Sequence, residues 1–378
     1  MLTPYDDYPV HQTALPVAHP ESGDPDHYDR FFFNGYRDDL FFGVALGLYP
    51  NRGVIDAAFS VVHEGTQRSA FASGRIPLDR TQTAVGPIRI EILEPLGRTR
   101  VLVDAPEQGI VGDLVFTPKT PAVEEPRQTI VDGTRLVMDY TRLTQWGSWS
   151  GDLEVAGEQI PVDDGPVYGT KDRSWGVRPV GQPAPAAPAP RLPEIFFLWA
   201  PLHFEDRCTH FMVFERSDGE RWLEHVASVP LLAGPDAPTW GPDLGIEDLP
   251  GGAYALEWVQ GLRRVRRASV TLPEATGDLT IDLEPLVTFR MRGIGYTNPE
   301  WGHGVWKGEL VVGGEVNTCA ELDTADPSNI HVETVVRATR SDGRVGIGIL
   351  EQLAFGDHAP TGLRGLCDGY TPTRGVPE

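Results

Sequence analysis

Glycine and proline interrupt this chain so often that long helices have no room to form. There are 42 glycines and 34 prolines in 378 residues, without a Gly-X-Y period, and both residue types break helices and mark turns. The segments between them read as short strands. Ile88-Arg-Ile-Glu-Ile92 alternates with period two, Pro95-Leu-Gly-Arg98 turns the chain, and Arg100-Val-Leu-Val-Asp104 alternates again. Comparable runs cover 110–117, 134–143, 151–155, 196–204, 210–215, 253–260, 268–272, 279–283 and 332–339. An all-β fold is expected.

An internal repeat organises these strands. Trp149-Ser-Gly-Asp-Leu-Glu-Val-Ala-Gly-Glu158 matches Trp306-Lys-Gly-Glu-Leu-Val-Val-Gly-Gly-Glu315. Trp146-Gly-Ser148 stands ahead of the first copy and Trp301-Gly-His303 ahead of the second. Phe31–Leu48 and Phe196–Phe214 each read as a strand, a polar turn and a second strand. A match of this length implies duplication of a whole sheet unit. Two antiparallel units with no need for open edges imply tandem barrels related by duplication. The expected division is an N-terminal arm over 1–26, a first barrel over 27–178, a Pro/Ala-rich linker over 179–193 and a second barrel over 194–378.

Charge excludes several partners. The formal net charge of −22 is the wrong sign for a nucleic-acid ligand or an anionic membrane surface. The basic run Arg263-Arg-Val-Arg-Arg267 reads as side chains facing water along a strand edge. Cys208, Cys319 and Cys367 are scattered, with no CxxC and no zinc-ligand spacing, which suits a reducing compartment. The N-terminus lacks a basic and an apolar signal region, and the apolar stretch 31–49 is broken by Asn34, Arg37, Asp38 and Asp39. No stable membrane insertion and a cytoplasmic location are expected, with homodimerisation left open. No dinucleotide fingerprint, P-loop, HExxH or GxSxG occurs, so nothing calls for a nucleotide cofactor or a metal.

Two segments concentrate chemistry-bearing side chains. Tyr168-Gly-Thr-Lys-Asp-Arg-Ser-Trp-Gly-Val-Arg178 brings Asp172, Arg173, Trp175 and Arg178 together. On a strand Asp172 and Ser174 share one face, while Lys171, Arg173 and Trp175 share the other. Asp172 is either a carboxyl tuned by its surroundings or half of a structural ion pair. Tyr296-Thr-Asn-Pro-Glu-Trp-Gly-His-Gly-Val-Trp306 gathers Tyr296, Glu300, Trp301, His303 and Trp306 in a Gly-rich loop. The first copy has Gln145, Trp146 and Ser148 at the matching positions. Either these tryptophans fill a core or they face a ligand. His358, before Ala-Pro, reads as a satisfied loop histidine, and Tyr36–Asp39 as a hairpin tip.

The run Gly169-Thr-Lys-Asp-Arg-Ser-Trp-Gly176, followed by a linker and the aromatic strand Phe196-Phe-Leu-Trp-Ala200, resembles a known superfamily. This is the AttH-like and carotenoid 1,2-hydratase-like group, with tocopherol cyclase-like, kievitone hydratase-like and lipocalin-like Diels–Alderase members. Lys171 stands where that group carries an aromatic residue. The resemblance implies two lipocalin-like barrels and cofactor-free chemistry on a hydrophobic isoprenoid or prenylated small molecule. Hydration or cyclisation of its alkene needs a carboxylic acid kept protonated, with aromatic faces around the cation. On this reading Asp172 is the acid, and His303 or Glu300 orients water or serves as an alternative acid. Trp175, Tyr296, Trp301, Trp306, Trp146 and Arg173 line the substrate. The competing reading is a non-catalytic carrier or sensor for a lipophilic ligand.

Overall fold

The computed structural model describes residues 2–163, 165–181 and 194–365. Residues 182–193 of the expected linker, and Cys367, lie outside the described residues. The first half forms β1 (His27–Arg37), β2 (Leu40–Tyr49), β3 (Val54–His63), β4 (Thr66–Arg75), β5 (Ala84–Val85), β6 (Ile88–Ile92), β7 (Thr99–Ala105) and β8 (Ile110–Pro118). It continues with β9 (Val123–Glu124), β10 (Gln128–Asp132), β11 (Arg135–Val155), β12 (Glu158–Pro161) and β13 (Val167–Val177). The second half supplies β14 (Ile195–His203), β15 (Arg207–Glu215), β16 (Arg221–Pro230), β17 (Glu247–Leu249) and β18 (Ala253–Trp258). After these come β19 (Val265–Glu274), β20 (Gly277–Arg290), β21 (Leu310–Thr318), β22 (Val332–Arg340) and β23 (Val345–Phe355). The helical turns among the described residues are short 3₁₀ segments.

The strands make two antiparallel sheets. One runs β21-β4-β3-β2-β1-β13-β11-β8-β7-β6-β5, and the other runs β17-β16-β15-β14-β23-β22-β20-β19-β18. In each half the first strand lies between the second and the last, β1 between β2 and β13, β14 between β15 and β23. The first sheet curls until its ends approach. A Cβ at Gly86, next to β5, would come within 3.1 Å of Ala72 on β4 and 3.0 Å of Val312 on β21.

Strand alternation sorts the side chains into three packed layers. Phe31, Phe33, Phe42, Leu46, Phe116 and Trp149 fill the first sheet's concavity. Phe196, Leu198, Phe211, Val213 and Leu350 fill the second. Phe32, Phe41, Phe197, Trp199, Met212 and Ile349 are packed between the sheets. The strands β1, β2 and β14 are therefore covered on both faces, which is why β2 and most of β14 read as near-continuous apolar runs.

Three expectations are corrected. The strands expected at 134–143 and 151–155 are one strand, β11, of 21 residues. It bends at Gly151 (φ +118), where a Cβ would meet the Asp113 carbonyl at 2.1 Å. The two repeat copies also do not occupy matching places. The first forms the end of β11 and turns at Ala156-Gly157, both at positive φ, into β12. The second runs into β21, which pairs with β4 of the first sheet. There Gly313 is an in-strand residue against which Trp301 packs, since a Cβ would lie 2.3 Å from that indole. Matching positions, Ala156-Gly157 and Gly313-Gly314, thus serve as a turn in one copy and as clearance for a ring in the other. Finally, Arg263 does not face water: it is 4% exposed and donates to the carbonyls of Ala354, Gly356, Arg364 and Gly365. Arg266 and Arg267 are exposed as expected.

Candidate active site between the sheets

Alternation along β13 divides its motif as the sequence implies. Lys171 and Arg173 turn into the first barrel, where Lys171 Nζ is 3.4 Å from Thr99 Oγ1 and Arg173 lies 3.7 Å over the Phe31 ring. Asp172 turns the other way, into the layer between the sheets. Its register partners are Phe32 on β1 and Thr144 on β11. Beside it is Arg142, whose Nε is 3.7 Å from Asp172 Oδ2.

Arg142 is shared with a second carboxylate. Its Nε donates to Glu125 Oε2 at 2.6 Å, and Thr144 Oγ1 donates to Glu125 Oε1 at 2.7 Å. Trp199 Nε1 donates to the same oxygen at 3.3 Å, and His210 Nε2 lies 3.3 Å from it. The Arg142 guanidinium is 6.0 Å from the Phe197 ring centre and 5.8 Å from that of Trp199. Burial alone would raise Glu125, but Arg142 and His210 hold its carboxyl well below the usual range. Burial also acts on Asp172 and wins there. The Arg142 charge opposes it only in part, Glu125 and Glu351 add repulsion, and the carboxyl is raised to about 7.

Further along the same layer, Asn34 Nδ2 donates to Glu333 Oε2 at 3.1 Å, and Asn34 Oδ1 accepts from the Thr170 amide at 2.7 Å and its hydroxyl at 2.8 Å. Glu333 Oε1 is buried without a partner. Burial, followed by the charge of Glu351, pushes Glu333 far above the usual carboxylate range. Glu351 Oε1 meets His331 Nε2 at 2.6 Å. The His331 ring faces Tyr296 at 4.8 Å, and Tyr296 faces His303 at 4.7 Å. Burial, with Arg30 and Arg178 behind it, drives His303 well below its usual value.

The structure thus brings Asp172, Tyr296 and His303 to one inter-sheet layer, with Trp146 buried in it 5.7 Å from His210. Trp301 borders the layer, stacked on Phe71 at 5.3 Å. It does not bring in the others. Glu300 is an exposed residue paired with Lys307 at 2.9 Å, which sets it apart from the layer where it was expected to orient water or serve as an alternative acid. Trp306 is 46% exposed and Trp175 41%. Arg173 belongs to the mouth of the first barrel. Sequence reasoning missed Glu125, Arg142, His210, Glu333 and Glu351. Two of these carry a signal in retrospect: His210 abuts the apolar run Phe211–Phe214, and Glu351 with Gln352 interrupts the apolar run of β23. His358 is a satisfied histidine, as expected, bonded to Glu215 and Thr361.

Two other features bear on ligands. A cavity of about 760 Å³ opens at the mouth of the first barrel, lined by Phe31, Leu48, Ile90, Arg80, Arg89 and Arg173 among others. Among the described residues, His63, Glu64 and Glu158 bring three donor atoms within 4.8 Å of one another at the β3–β4 hairpin, a set that could hold a cation. No described helix is long and apolar enough to cross a membrane.

Comparison with known proteins supports the fold. An AttH-like protein of Nitrosomonas europaea superposes with a TM-score of 0.51 at 14% identity, over 86% of this chain and 92% of that one. Kievitone hydratase of Nectria haematococca superposes with a TM-score of 0.51 at 14% identity, over 86% and 88%. The chain shares the AttH-like, lipocalin-type fold. No protein of curated function matches it in sequence. The profile of a family of unknown function, DUF8625, matches residues 2–364.

Proposed function

We propose that this chain, which belongs to the DUF8625 family, is a cofactor-free hydratase or cyclase that protonates an alkene of a hydrophobic, isoprenoid-type molecule. The observation that carries the reading is Asp172, a largely buried carboxyl raised to about 7 in a layer that also holds Phe32, Phe197 and Trp199. A neutral carboxylic acid near pH 7 can deliver a proton, and aromatic faces stabilise the cation that results. Asp172 would give its proton to one alkene carbon, leaving the positive charge on the other. Water then adds there, and its surplus proton returns to the Asp172 carboxylate. The unpaired Oε1 of Glu333 and the neutral His303 are the candidates for holding that water. The structural kinship with kievitone hydratase supports this choice of reaction, although fold by itself does not fix chemistry.

Incubation with a panel of prenylated and isoprenoid compounds in heavy-oxygen water tests the reading. Product carrying the label, formed by the native chain and lost in Asp172→Asn, is expected. Full turnover by that variant would sink the assignment. A second reading, a carrier of a lipophilic ligand, is favoured by the cavity at the first barrel's mouth. It predicts tight binding without conversion, weakened by substitutions at Phe31 or Leu48 and indifferent to Asp172.

A further inference from the structure

The proton-transfer reading leaves two guanidiniums of the inter-sheet layer unused. Arg30 is 2% exposed, and none of its three side-chain nitrogens makes a hydrogen bond. Its guanidinium lies 4.6 Å from the centre of the Tyr296 ring. Arg178 stands 5.5 Å from the same ring and 4.7 Å from that of Tyr28. Its two terminal nitrogens reach only the Tyr296 hydroxyl, each at 3.5 Å. His303 completes the group, with Nε2 buried and unpartnered.

Among the described residues no carboxylate makes a hydrogen bond or close ion pair with either cation. Asp56 feels Arg30, but its oxygens are taken by the Gly304 amide at 2.6 Å and the Tyr49 hydroxyl at 3.2 Å. Asp172 feels the Arg178 charge, but its close partner is Arg142, as it is for Glu125. Buried ions in proteins are ordinarily paired and hydrogen-bonded, because an isolated one costs several kcal/mol. A planar cation with five donors, shut off from water and without an acceptor among the described residues, lacks its anion. The guanidinium fork grips a planar carboxylate through two parallel bonds.

We propose that Arg30, backed by Arg178, is the receptor for a carboxylate carried by the ligand. The inference rests on the reading of the inter-sheet layer as the ligand site and names the class of molecule it takes: an apolar chain ending in an acid. Strand geometry connects the two ideas. Arg30 and Phe32 are successive side chains on one face of β1, and Phe32 is the register partner of Asp172. Anchor and acid are therefore offset by one strand repeat, roughly 7 Å along the strand.

The test is calorimetric titration of the full chain at pH 7.5 with farnesoic acid, its alcohol farnesol, and sodium acetate. The acid is expected to bind at least about tenfold more tightly than the alcohol, and acetate no better than millimolar. Arg30→Met keeps an apolar stem and should erase the acid's advantage while leaving the alcohol's affinity in place. Arg30→Lys, which keeps charge without the fork, should retain a reduced preference and serves if the Met variant does not fold. Equal affinities for acid and alcohol, or a preference surviving in Arg30→Met, would overturn the proposal. So would acetate binding as tightly as farnesoic acid, which assigns Arg30 to a free small anion. Absence of any binding by acid or alcohol would also overturn it, together with the apolar-ligand reading. The hydratase reading fails separately: missing label uptake leaves the acid-over-alcohol preference untouched.

Discussion

Arg142 lies 3.7 Å from Asp172 yet spends its hydrogen bond on Glu125, 2.6 Å away on its other side. One guanidinium therefore stands between two buried carboxyls and splits them. Glu125 also gathers Thr144, Trp199 and His210, and stays ionised. Asp172 accepts no hydrogen bond from a described residue, and burial lifts it to about 7. Carboxyls whose surroundings drive their affinities for protons apart are how one fold holds an acid and a fixed anion side by side.

The split predicts opposite responses to removing each charge. Glu125→Gln leaves the buried Arg142 without its main anion, and breaking such a pair costs about 3–5 kcal/mol. Asp172→Asn removes a group that is costly to ionise, so stability at pH 7 should hold or rise. Urea denaturation of the two variants checks this. A loss for Asp172→Asn as large as for Glu125→Gln would mean that Asp172 is a structural ion pair after all.

The dependence on pH follows from the same shift. Asp172 takes up protons more readily folded than unfolded, so between about 4 and 7 its contribution makes stability fall as pH rises. Glu125 acts with the opposite sign: its contribution is present above the unfolded value and is lost as pH drops through the folded one. The charged groups that act on Asp172 are Arg142, Glu125, Glu351 and Arg178, and Asp172 in turn acts on Glu333. The melting temperature of Asp172→Asn relative to the native chain should therefore climb from pH 4 to pH 8. Any turnover that uses Asp172 as acid should decline above pH 7. A flat difference across that range would contradict the raised value.

Much of the fold was legible because glycine, proline and period-two patterning are local signals. The pairing of Ile88–Ile92 with Thr99–Ala105 across a turn can be read directly from the residues. The layer between the sheets was harder to read. A strand such as Leu40–Tyr49, buried along its whole length, shows no alternation, so its two faces look alike until the partner sheet is in place. Within such runs the informative residues are the polar exceptions, Arg30, Asn34, His210, Glu333 and Glu351. Asp172 stood out because its motif is dense in charge, but its environment is built by Arg142 and Glu125, far back along the chain. Glu300 failed for a related reason: a loop rich in functional residue types says nothing about which of them face inward.

Glu300→Gln accordingly separates loop composition from site geometry. Its exposed pair with Lys307 is of the kind worth about 0–1 kcal/mol. Label uptake and melting temperature should both stay within error of the native chain. A loss of turnover beyond about tenfold would place Glu300 in the site in spite of its exposure.

The second half is fastened to the first through β21. β21 adds to β4 through a nine-residue register from Leu310–Gly74 to Thr318–Thr66, and Trp301 is laid over it against Phe71. Gly313 makes this possible, because a Cβ there would come within 2.3 Å of the indole. Gly313→Ala should push Trp301 off Phe71 and cost about 1–3 kcal/mol, the usual penalty for overpacking. Tryptophan emission should shift to the red as the ring gains water, and the Gly-rich loop that carries Tyr296 and His303 should lose protection from hydrogen exchange. Gly343→Ala is a poor control, since that residue has φ +89 and would be strained for a different reason. Gly23→Ala is the better one, with nothing within 4 Å of the added carbon. If Gly313→Ala matched Gly23→Ala in stability and emission, the packing of Trp301 on β21 would not be what holds this loop in place.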